Sequence, residues 1–467
     1  MENTNMDTKE LKTKLFYEQK HAVKKMSESE IARADEFCEG YKKFLDNGKT
    51  EREVVREVIT EAENRGFVLF EQDKKYNPGD KIFYVNRGKS VILAVIGEKG
   101  CSEGVKIAAA HIDSPRLDLK PNPMYEDTEI AYMKTHYYGG IRKYQWPVMP
   151  LAMHGVICKT DGTQITVCIG EDDRDPKFCI SDLLPHLAAK QSDRKLSEGI
   201  RGEELNVIIG SRPIDDSDES ELVKLNILNI LFEKYGITES DFLSAEIEMV
   251  PAFKASDIGF DRSLIGSYGH DDRVCAYPAF MAALDVGVPE KTVLTVLTDK
   301  EETGSDGNTG LNSSYLKFFI CDLAKSEGLD GWRVMSKSEC LSADVNSAYD
   351  PTFADVFEKK NSSLLNRGVV ITKYTGARGK AGTSDASAEF MGKIRSILDA
   401  NDIVWQTGEL GKVDEGGGGT VAKYIASLNI DVVDLGVPVI SMHAPYEIIA
   451  KTDIWAAYRA FYQFFIA

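Results

Sequence analysis

Strand-like and helix-like segments alternate along the chain from Ser256 onward. Apolar runs typical of strands lie at 292–298, 333–342, 368–373 and 437–442. Helical patterns separate these runs, and one of them lies near 384–400. Such alternation is typical of a mostly parallel β-sheet with helices on both faces. The sequence therefore predicts an α/β fold for this part of the chain.

The N-terminal half contains two further sequence patterns. The first 65 residues are charged and helical in pattern, and strands predicted at 81–85 and 90–96 flank a hairpin turn at 86–88. From about 116 to 255 short alternating strands dominate, interrupted by a helix predicted over 217–235. The economical arrangement is a discontinuous α/β domain, residues 1–115 and 256–467, with a β-rich domain inserted at 116–255.

Charge and cysteine usage exclude several classes of protein. The 467 residues include 56 Lys and Arg against 74 Asp and Glu, a net charge of −18 that disfavours a nucleic-acid partner. Apolar runs such as 90–97 are much shorter than the roughly 20 residues that span a bilayer, and the first 30 residues lack a signal-peptide pattern. Eight scattered cysteines without a C-x-x-C pair indicate reduced thiols. We expect a cytoplasmic protein with no membrane or nucleic-acid partner.

Polar clusters stand at the points where apolar runs stop. There are five of them: His111-x-Asp113, Asp271-Asp272, Glu301-Glu302, Asp344 and His443. Ligands of open α/β sheets bind beyond the carboxyl ends of the strands, so we expect these clusters to converge. Two imidazoles and three carboxylates are nitrogen and oxygen ligands suited to two divalent, zinc-like ions. The pattern predicts a metal centre that favours a bound hydroxide.

The residues alone leave some roles open. Asp271, at a predicted helix start, is either a bridging ligand or a helix N-cap. If the backbone is extended at Glu301 and Glu302, the two side chains diverge, so that one binds metal and the other holds the attacking water. Asp113 shares a strand face with His111 and is expected to orient that histidine or its metal. His154 is expected to be structural.

Eight stretches of the chain resemble the M18 family of metallo-aminopeptidases and span most of its length in the family's order. They are IFYVNRGKSVILAVIG (82–97), AAAHIDSPRLDLKP (108–121), HYYGG (136–140), LLPHLA (183–188), GHDDRVCA (269–276), DKEETGS (299–305), LSADVNSAYDP (341–351) and GVPVISMHAPYE (436–447). Any one of these motifs alone would be weak. Together they form a specific signature.

The resemblance implies a co-catalytic aminopeptidase with two divalent ions, zinc first and cobalt or manganese as alternatives. It implies that Glu301 is the general base and Asp113 its supporting partner. The implied ligands are His111, Asp271 and Asp344 for one ion, and Asp271, Glu302 and His443 for the other. His186 is implied to reach into a neighbouring subunit's active site. A homo-oligomer follows, a dodecamer built from dimers, with the inserted β-rich domain as its dimerisation domain.

Contacts to a peptide substrate are predicted at two places. Lys373 is either a pocket cation for an acidic N-terminal residue or a surface lysine, so acidic and neutral substrates both stay open. Gly417 and Gly418, within 416–419, are expected to offer backbone N–H groups to the peptide, since no Gly-Lys-Ser/Thr of a phosphate loop follows. Two alternatives to an aminopeptidase remain at this point: a related deacylase or carboxypeptidase, and a non-catalytic self-assembling particle.

Overall fold

The computed structural model describes residues 7–215 and 219–467. Its α-helices are α1 (Thr8–Leu15), α2 (Ala22–Lys25), α3 (Glu28–Asn47), α4 (Glu51–Asn64), α5 (Ala189–Ser192), α6 (Leu196–Gly199), α7 (Leu222–Tyr235), α8 (His270–Asp285), α9 (Tyr315–Ser326), α10 (Gly331–Met335), α11 (Ala388–Ala400), α12 (Ala422–Ala426) and α13 (Lys451–Ile466). None of the helices in this part of the chain is long and apolar enough to cross a bilayer.

The β-strands are numbered here in chain order. They are β1 (Val68–Leu69), β2 (Lys81–Asn86), β3 (Ser90–Val95), β4 (Lys106–His111), β5 (Arg116–Asp127), β6 (Ile130–Tyr138), β7 (Leu151–Cys158), β8 (Gln164–Ile169), β9 (Cys179–Ile180), β10 (Asn206–Gly210), β11 (Ala245–Pro251), β12 (Ser256–Ile258), β13 (Leu264–Ser267), β14 (Val293–Thr298), β15 (Glu339–Ser342), β16 (Asn346–Ser347), β17 (Val369–Thr372), β18 (Trp405–Thr407), β19 (Asp431–Gly436), β20 (Pro438–Ile440) and β21 (Glu447–Ala450).

The largest sheet has nine strands in the order β1-β2-β3-β14-β4-β15-β19-β17-β18. Its central strands β14, β4, β15 and β19 run parallel to their neighbours within that group. Antiparallel pairs lie to either side, β2 with β3, β3 with β14, and β17 with β19. The α/β class is therefore confirmed as a mixed α/β architecture, and the central parallel strands bring their carboxyl ends to one edge.

Both faces of this sheet are covered by apolar side chains from helices. Along β3, Leu93 belongs to a core cluster that includes residues of α3, α4, α8 and α13. Its neighbours Ile92 and Ala94 belong to a second cluster, formed with residues of α9, α10 and α12. Successive strand residues point to opposite faces, so this alternation shows that helices pack on each side. A sheet held between two cores is a rigid base for side chains at its edge.

Two further sheets complete the fold. Strands β5 to β11, all within residues 116–251, form an antiparallel seven-stranded sheet in the order β8-β7-β11-β5-β6-β10-β9. A five-stranded sheet, β12-β13-β21-β20-β16, joins residues far apart in sequence. The β-rich texture of 116–255 is thus observed as a sheet, while the division into domains stays a prediction.

Several predicted elements differ in their ends. The helix predicted over 217–235 begins at Leu222, and residues 216–218 lie outside the described part of the chain. The strand predicted over 333–342 begins only at Glu339, because the side chain of Asp330 caps the short helix α10 (N–O 3.0 Å to Trp332). The strand predicted over 437–442 ends at Ile440, where Ser441 adopts a positive φ of 61°.

Candidate metal centre

Side chains from neighbouring parts of the fold meet at the carboxyl edge of the nine-stranded sheet. His111 ends β4, the Glu301–Glu302 pair follows β14, and Asp344 lies two residues beyond β15. Asp271 comes from α8, and His443 follows β20 in the five-stranded sheet. The predicted convergence of all five clusters is observed. Ligand atoms of His111, Glu301 and Asp344 lie within 4.8 Å of one another, as do those of His111, Asp271 and Glu302.

The carboxylate of Asp271 lies between the two histidines. One of its oxygens is 3.0 Å from Nε2 of His111, and the other is 3.3 Å from Nε2 of His443. Nε2 of His443 is also 3.6 Å from Oε2 of Glu302. A carboxylate that faces one histidine with each oxygen has the geometry required of a ligand that bridges two cations.

Both histidines are held in the orientation that a metal ligand needs. Nδ1 of His111 lies 3.0 Å from the backbone oxygen of Asp113, and Nδ1 of His443 lies 2.8 Å from that of Gly140. A carbonyl oxygen only accepts hydrogen bonds, so each Nδ1 carries a proton, and in the neutral form of each ring the Nε2 lone pair would face the cluster and be available to a cation. This arrangement is common among metal-binding histidines.

Asp271 does not cap helix α8. The N-cap position is occupied by Gly269, and the backbone of Asp271 is non-helical (φ −78°, ψ 110°). Its N–H donates to Oε2 of Glu447 (3.0 Å), and its carbonyl accepts from Oγ of Ser114 (2.9 Å). These contacts turn the carboxylate away from the helix and toward the histidines.

Glu301 and Glu302 lie in a 3₁₀ turn, not in the extended backbone on which their divergence was predicted. The turn is held by the buried carboxylate of Asp113, which accepts the N–H of Glu301 at 3.1 Å and that of Glu302 at 3.2 Å. The side chains nevertheless diverge. Glu301 lies 3.9 Å from Nε2 of His111, whereas Glu302 faces His443. Asp113 thus supports the glutamate turn as well as His111.

Without cations the centre carries more buried acid than its surroundings neutralise. Burial raises the pKa of Glu301 to about 7, and burial together with nearby carboxylates raises the pKa values of Glu302 and Asp344 well above the usual range. Oε1 of Glu302 is buried and has no hydrogen-bond partner among the described residues. Burial disfavours the charged form of His443, but hydrogen bonding to Asp271 and the nearby Glu302 raise its pKa to about 10. The donor set and its unsatisfied charge fit divalent cations.

A cavity of about 370 Å³ opens onto the centre. It is lined by Asp271, Glu301, Glu302, Asp344 and His443, and by Gly140, Val345, Asn346, Thr375, Leu410, Gly417, Gly418, Gly419, Thr420 and Met442. This volume lies in the range of small-ligand sites. The cavity gives a substrate direct access to the cluster.

The residues predicted to contact substrate lie in different surroundings. Gly417 lies at the cavity with φ 127°, and an added Cβ would lie 2.6 Å from Cα of Ala377, so the close approach requires glycine there. The N–H of Gly418 is engaged by the carbonyl of Thr375 (3.0 Å) and is not free for a peptide. Lys373 does not line the cavity, and its ammonium pairs with Asp385.

His186 lies apart from the cluster within this chain. It occupies an exposed turn, and the apolar side chains of Leu183, Leu184 and Leu187 around it are 50–68% exposed. The single chain therefore supplies no role for His186 at its own metal centre. Action on a neighbouring subunit stays a prediction.

Supporting residues at the centre were assigned no role from the sequence. Glu447 is 1% exposed, and besides the N–H of Asp271 it accepts that of His443 at 2.7 Å, so one carboxylate fixes the backbone of two candidate ligands. The hydroxyl of Tyr138 donates to Asp113 (2.8 Å). Both residues lie in stretches that carry the family resemblance, but that signal does not specify their contacts.

Comparisons with known proteins find similar sequences over most of the chain. The family profile described as Aminopeptidase I zinc metalloprotease (M18) matches residues 44–465. The curated "Probable M18 family aminopeptidase 1" of Clostridium acetobutylicum is 48% identical over 458 residues, covering 96% of this chain and 98% of the relative.

Solved structures are similar over nearly the whole chain. The crystal structure of an M18-family aminopeptidase from Thermotoga maritima has a TM-score of 0.92 at 42% identity, covering 96% of this chain and 99% of that one. The crystal structure of aminopeptidase I from Clostridium acetobutylicum has a TM-score of 0.90 at 44% identity, with coverage of 97% and 100%. The fold and the chain length are therefore shared with these proteins.

Proposed function

Because this chain belongs to the M18 family of zinc metallo-aminopeptidases, we propose that it binds two divalent ions at the metal centre and uses Glu301 as general base to release N-terminal residues from peptides. The observation that carries the proposal is the position of Asp271, whose two carboxylate oxygens face His111 and His443 at 3.0 and 3.3 Å. A carboxylate in this position would be able to hold two ions at once.

The family resemblance implies two ligand sets, and the distances to the two histidines are compatible with them. On the His111 side we assign Asp271 and Asp344 to one ion. On the His443 side we assign Asp271 and Glu302 to the other. Nitrogen and oxygen donors without sulfur suit zinc, and cobalt and manganese are accepted by the same donors.

When bound, the divalent ions polarise the scissile carbonyl and lower the pKa of water to near neutrality. Glu301 takes the proton from the attacking water and passes it to the leaving amine. Asp113 keeps Glu301 in place through the backbone of the glutamate turn. The acidic cavity accommodates the free amino group of the peptide, and the N–H of Gly417 contacts its backbone.

We assign His186 to the active site of a second copy of this chain. The exposed turn around it presents three leucines to solvent, and apolar surface of this kind is typical of an interface between subunits. An assembly of at least two copies follows from this assignment, and we propose the dodecamer built from dimers that the family resemblance implies. The eight cysteines are free thiols, which is typical of proteins in a reducing compartment such as the cytoplasm.

Substrate choice tests the proposed function. Purified protein loaded with zinc, cobalt or manganese is assayed on matched aminoacyl substrates with a free or an N-acetylated amine. The account predicts turnover of the free amine only. Cleavage of the acetylated substrate alone would indicate a deacylase or another metal hydrolase, and no turnover with metal bound would remove the enzymatic assignment.

A further inference from the structure

The cavity wall beyond the metal centre is built from uncharged groups. Val345, Leu410 and Met442 present apolar side chains, and Thr375 and Thr420 present hydroxyl-bearing ones. No lysine or arginine is found among the described residues that line the cavity. The part of the wall that one chain supplies therefore offers a substrate side chain apolar surface and no cationic partner.

Two of the polar side chains of the wall, Asn346 and Thr375, are already engaged in hydrogen bonds. The amide of Asn346 donates to Thr372 (3.1 Å) and accepts from Ser363 (2.7 Å). Oγ1 of Thr375 lies 3.0 Å from Oγ1 of Thr383. A substrate carboxylate in this space would lose its hydration and gain few hydrogen bonds, which is unfavourable for a charged group.

The net charge of the metal-loaded centre does not compensate for the lost hydration of a substrate carboxylate. Two divalent ions contribute +4, and the cavity-lining carboxylates Asp271, Glu301, Glu302 and Asp344 contribute −4. A carboxylate on the substrate side chain therefore meets no net positive charge. The lysine suggested by the sequence, Lys373, pairs with Asp385, which also forms an ion pair with Lys380 at 2.8 Å.

Resting on the proposed function, we propose that this aminopeptidase selects peptides whose N-terminal residue is neutral and aliphatic, and that Leu410 and its surrounding wall determine that choice. A leucyl or methionyl side chain would bury its apolar surface against Val345, Leu410 and Met442. An aspartyl or glutamyl side chain would be buried there without a partner.

The size of the accepted side chain is limited by the glycine loop. An added Cβ at Gly418 has Cδ2 of Leu410, at 3.7 Å, as its nearest neighbour, which is ordinary van der Waals contact. A methyl group at this position is accommodated by the fold but reduces the space beside Leu410. Gly418→Ala is therefore a probe of pocket size that does not strain the backbone.

The test is a panel of leucyl, alanyl, aspartyl and lysyl substrates with one common leaving group, assayed with the zinc-loaded full chain. We expect kcat/KM for the leucyl substrate to exceed that for the aspartyl substrate by about 100-fold or more. Equal or greater activity on the aspartyl substrate overturns the inference and leaves the proposed function standing.

Binding provides a readout that does not depend on turnover. Calorimetric titration of the zinc-loaded protein with free L-leucine and L-aspartate is expected to show tighter binding of leucine by about tenfold or more. Tighter binding of aspartate contradicts the inference even if no substrate is cleaved. Failure of every substrate with metal bound would instead count against the proposed function.

Variants test which residues determine the preference for the N-terminal side chain. Leu410→Lys adds a cation to the wall and should raise the ratio of aspartyl to leucyl activity by about tenfold or more, whereas Leu410→Met should keep it. Gly418→Ala should lower activity on the leucyl substrate relative to the alanyl one by about tenfold. Lys373→Gln should leave the aspartyl-to-leucyl ratio unchanged. Selective loss of aspartyl activity in that variant would make Lys373 the pocket cation and refute the proposal.

Discussion

Replacement of Glu301 by glutamine separates a general base from a metal ligand. The structure admits either role, because ligand atoms of Glu301, His111 and Asp344 lie within 4.8 Å of one another. Glutamine keeps the length and shape of the side chain, and the backbone hydrogen bond from residue 301 to Asp113 is unaffected. Only the capacity to accept a proton is removed.

The expected loss follows from the position of the carboxylate. Its side chain is 17% exposed, so bulk water replaces it poorly as a proton acceptor. Loss of a general base commonly lowers kcat by about 10²–10⁴-fold, which corresponds to about 3–5 kcal/mol in the barrier. Metal content should stay at the wild-type level, because we assign the coordination to other residues.

The assay is kcat with the preferred aminoacyl substrate, together with the metal content of each dialysed sample. Glu302→Gln is the matched control, since the same chemical change there should remove an ion as well as activity. A fully active Glu301→Gln enzyme would refute its role as the base. Loss of metal from Glu301→Gln equal to that from Glu302→Gln would make Glu301 a ligand.

Two further predictions concern histidines outside the metal centre. His186→Ala should lower kcat by about 10²–10³-fold if the imidazole stabilises the oxyanion, and mixed oligomers with Glu301→Gln should regain activity. No regain after confirmed subunit exchange would exclude action on the partner. Burial lowers the pKa of His154, but the hydrogen bonds of its side chain, including those to Glu171 and Glu53, outweigh burial and raise the pKa to about 11. Protonated His154 therefore stabilises the folded chain fully below about pH 6.5, and this stabilisation is lost as the pH rises toward 11. His154→Leu should therefore cost about 3–5 kcal/mol near pH 6, measured by denaturant unfolding, and less near pH 10. A pH-independent difference would contradict that ion-pair role.

The placement of the site was predictable because the sequence carries it in a simple pattern. Apolar runs end directly before His111, before the glutamate pair and near Asp344, and parallel neighbouring strands must bring such ends to one edge. The sequence does not show the close approach of Gly436 to Asp344 that completes this edge. A Cβ at Gly436, the last residue of β19, would lie 1.7 Å from the carbonyl oxygen of Asp344 in the segment after β15, and no local pattern reveals this contact.

Local conformation at the site was less accessible from sequence. The glutamate pair was expected to be extended, but its turn depends on hydrogen bonds to Asp113, which lies 188 residues away from Glu301. The buried role of Glu447 likewise depends on two backbone N–H groups from different parts of the chain. Such contacts follow from tertiary packing, which outweighs local preference. The sequence likewise does not reveal that Lys373 pairs with the carboxylate of Asp385.

We propose that one carboxylate, that of Asp271, would hold two divalent ions together. The direct measurement is the number of zinc ions per chain after exhaustive dialysis, by elemental analysis, in wild type and in Asp271→Ala. The account predicts two ions per chain in the wild type and loss of both in the variant, because Asp271 faces His111 and His443 with separate oxygens. One fully retained ion in Asp271→Ala, or loss of both ions from Asp272→Asn instead, would contradict it.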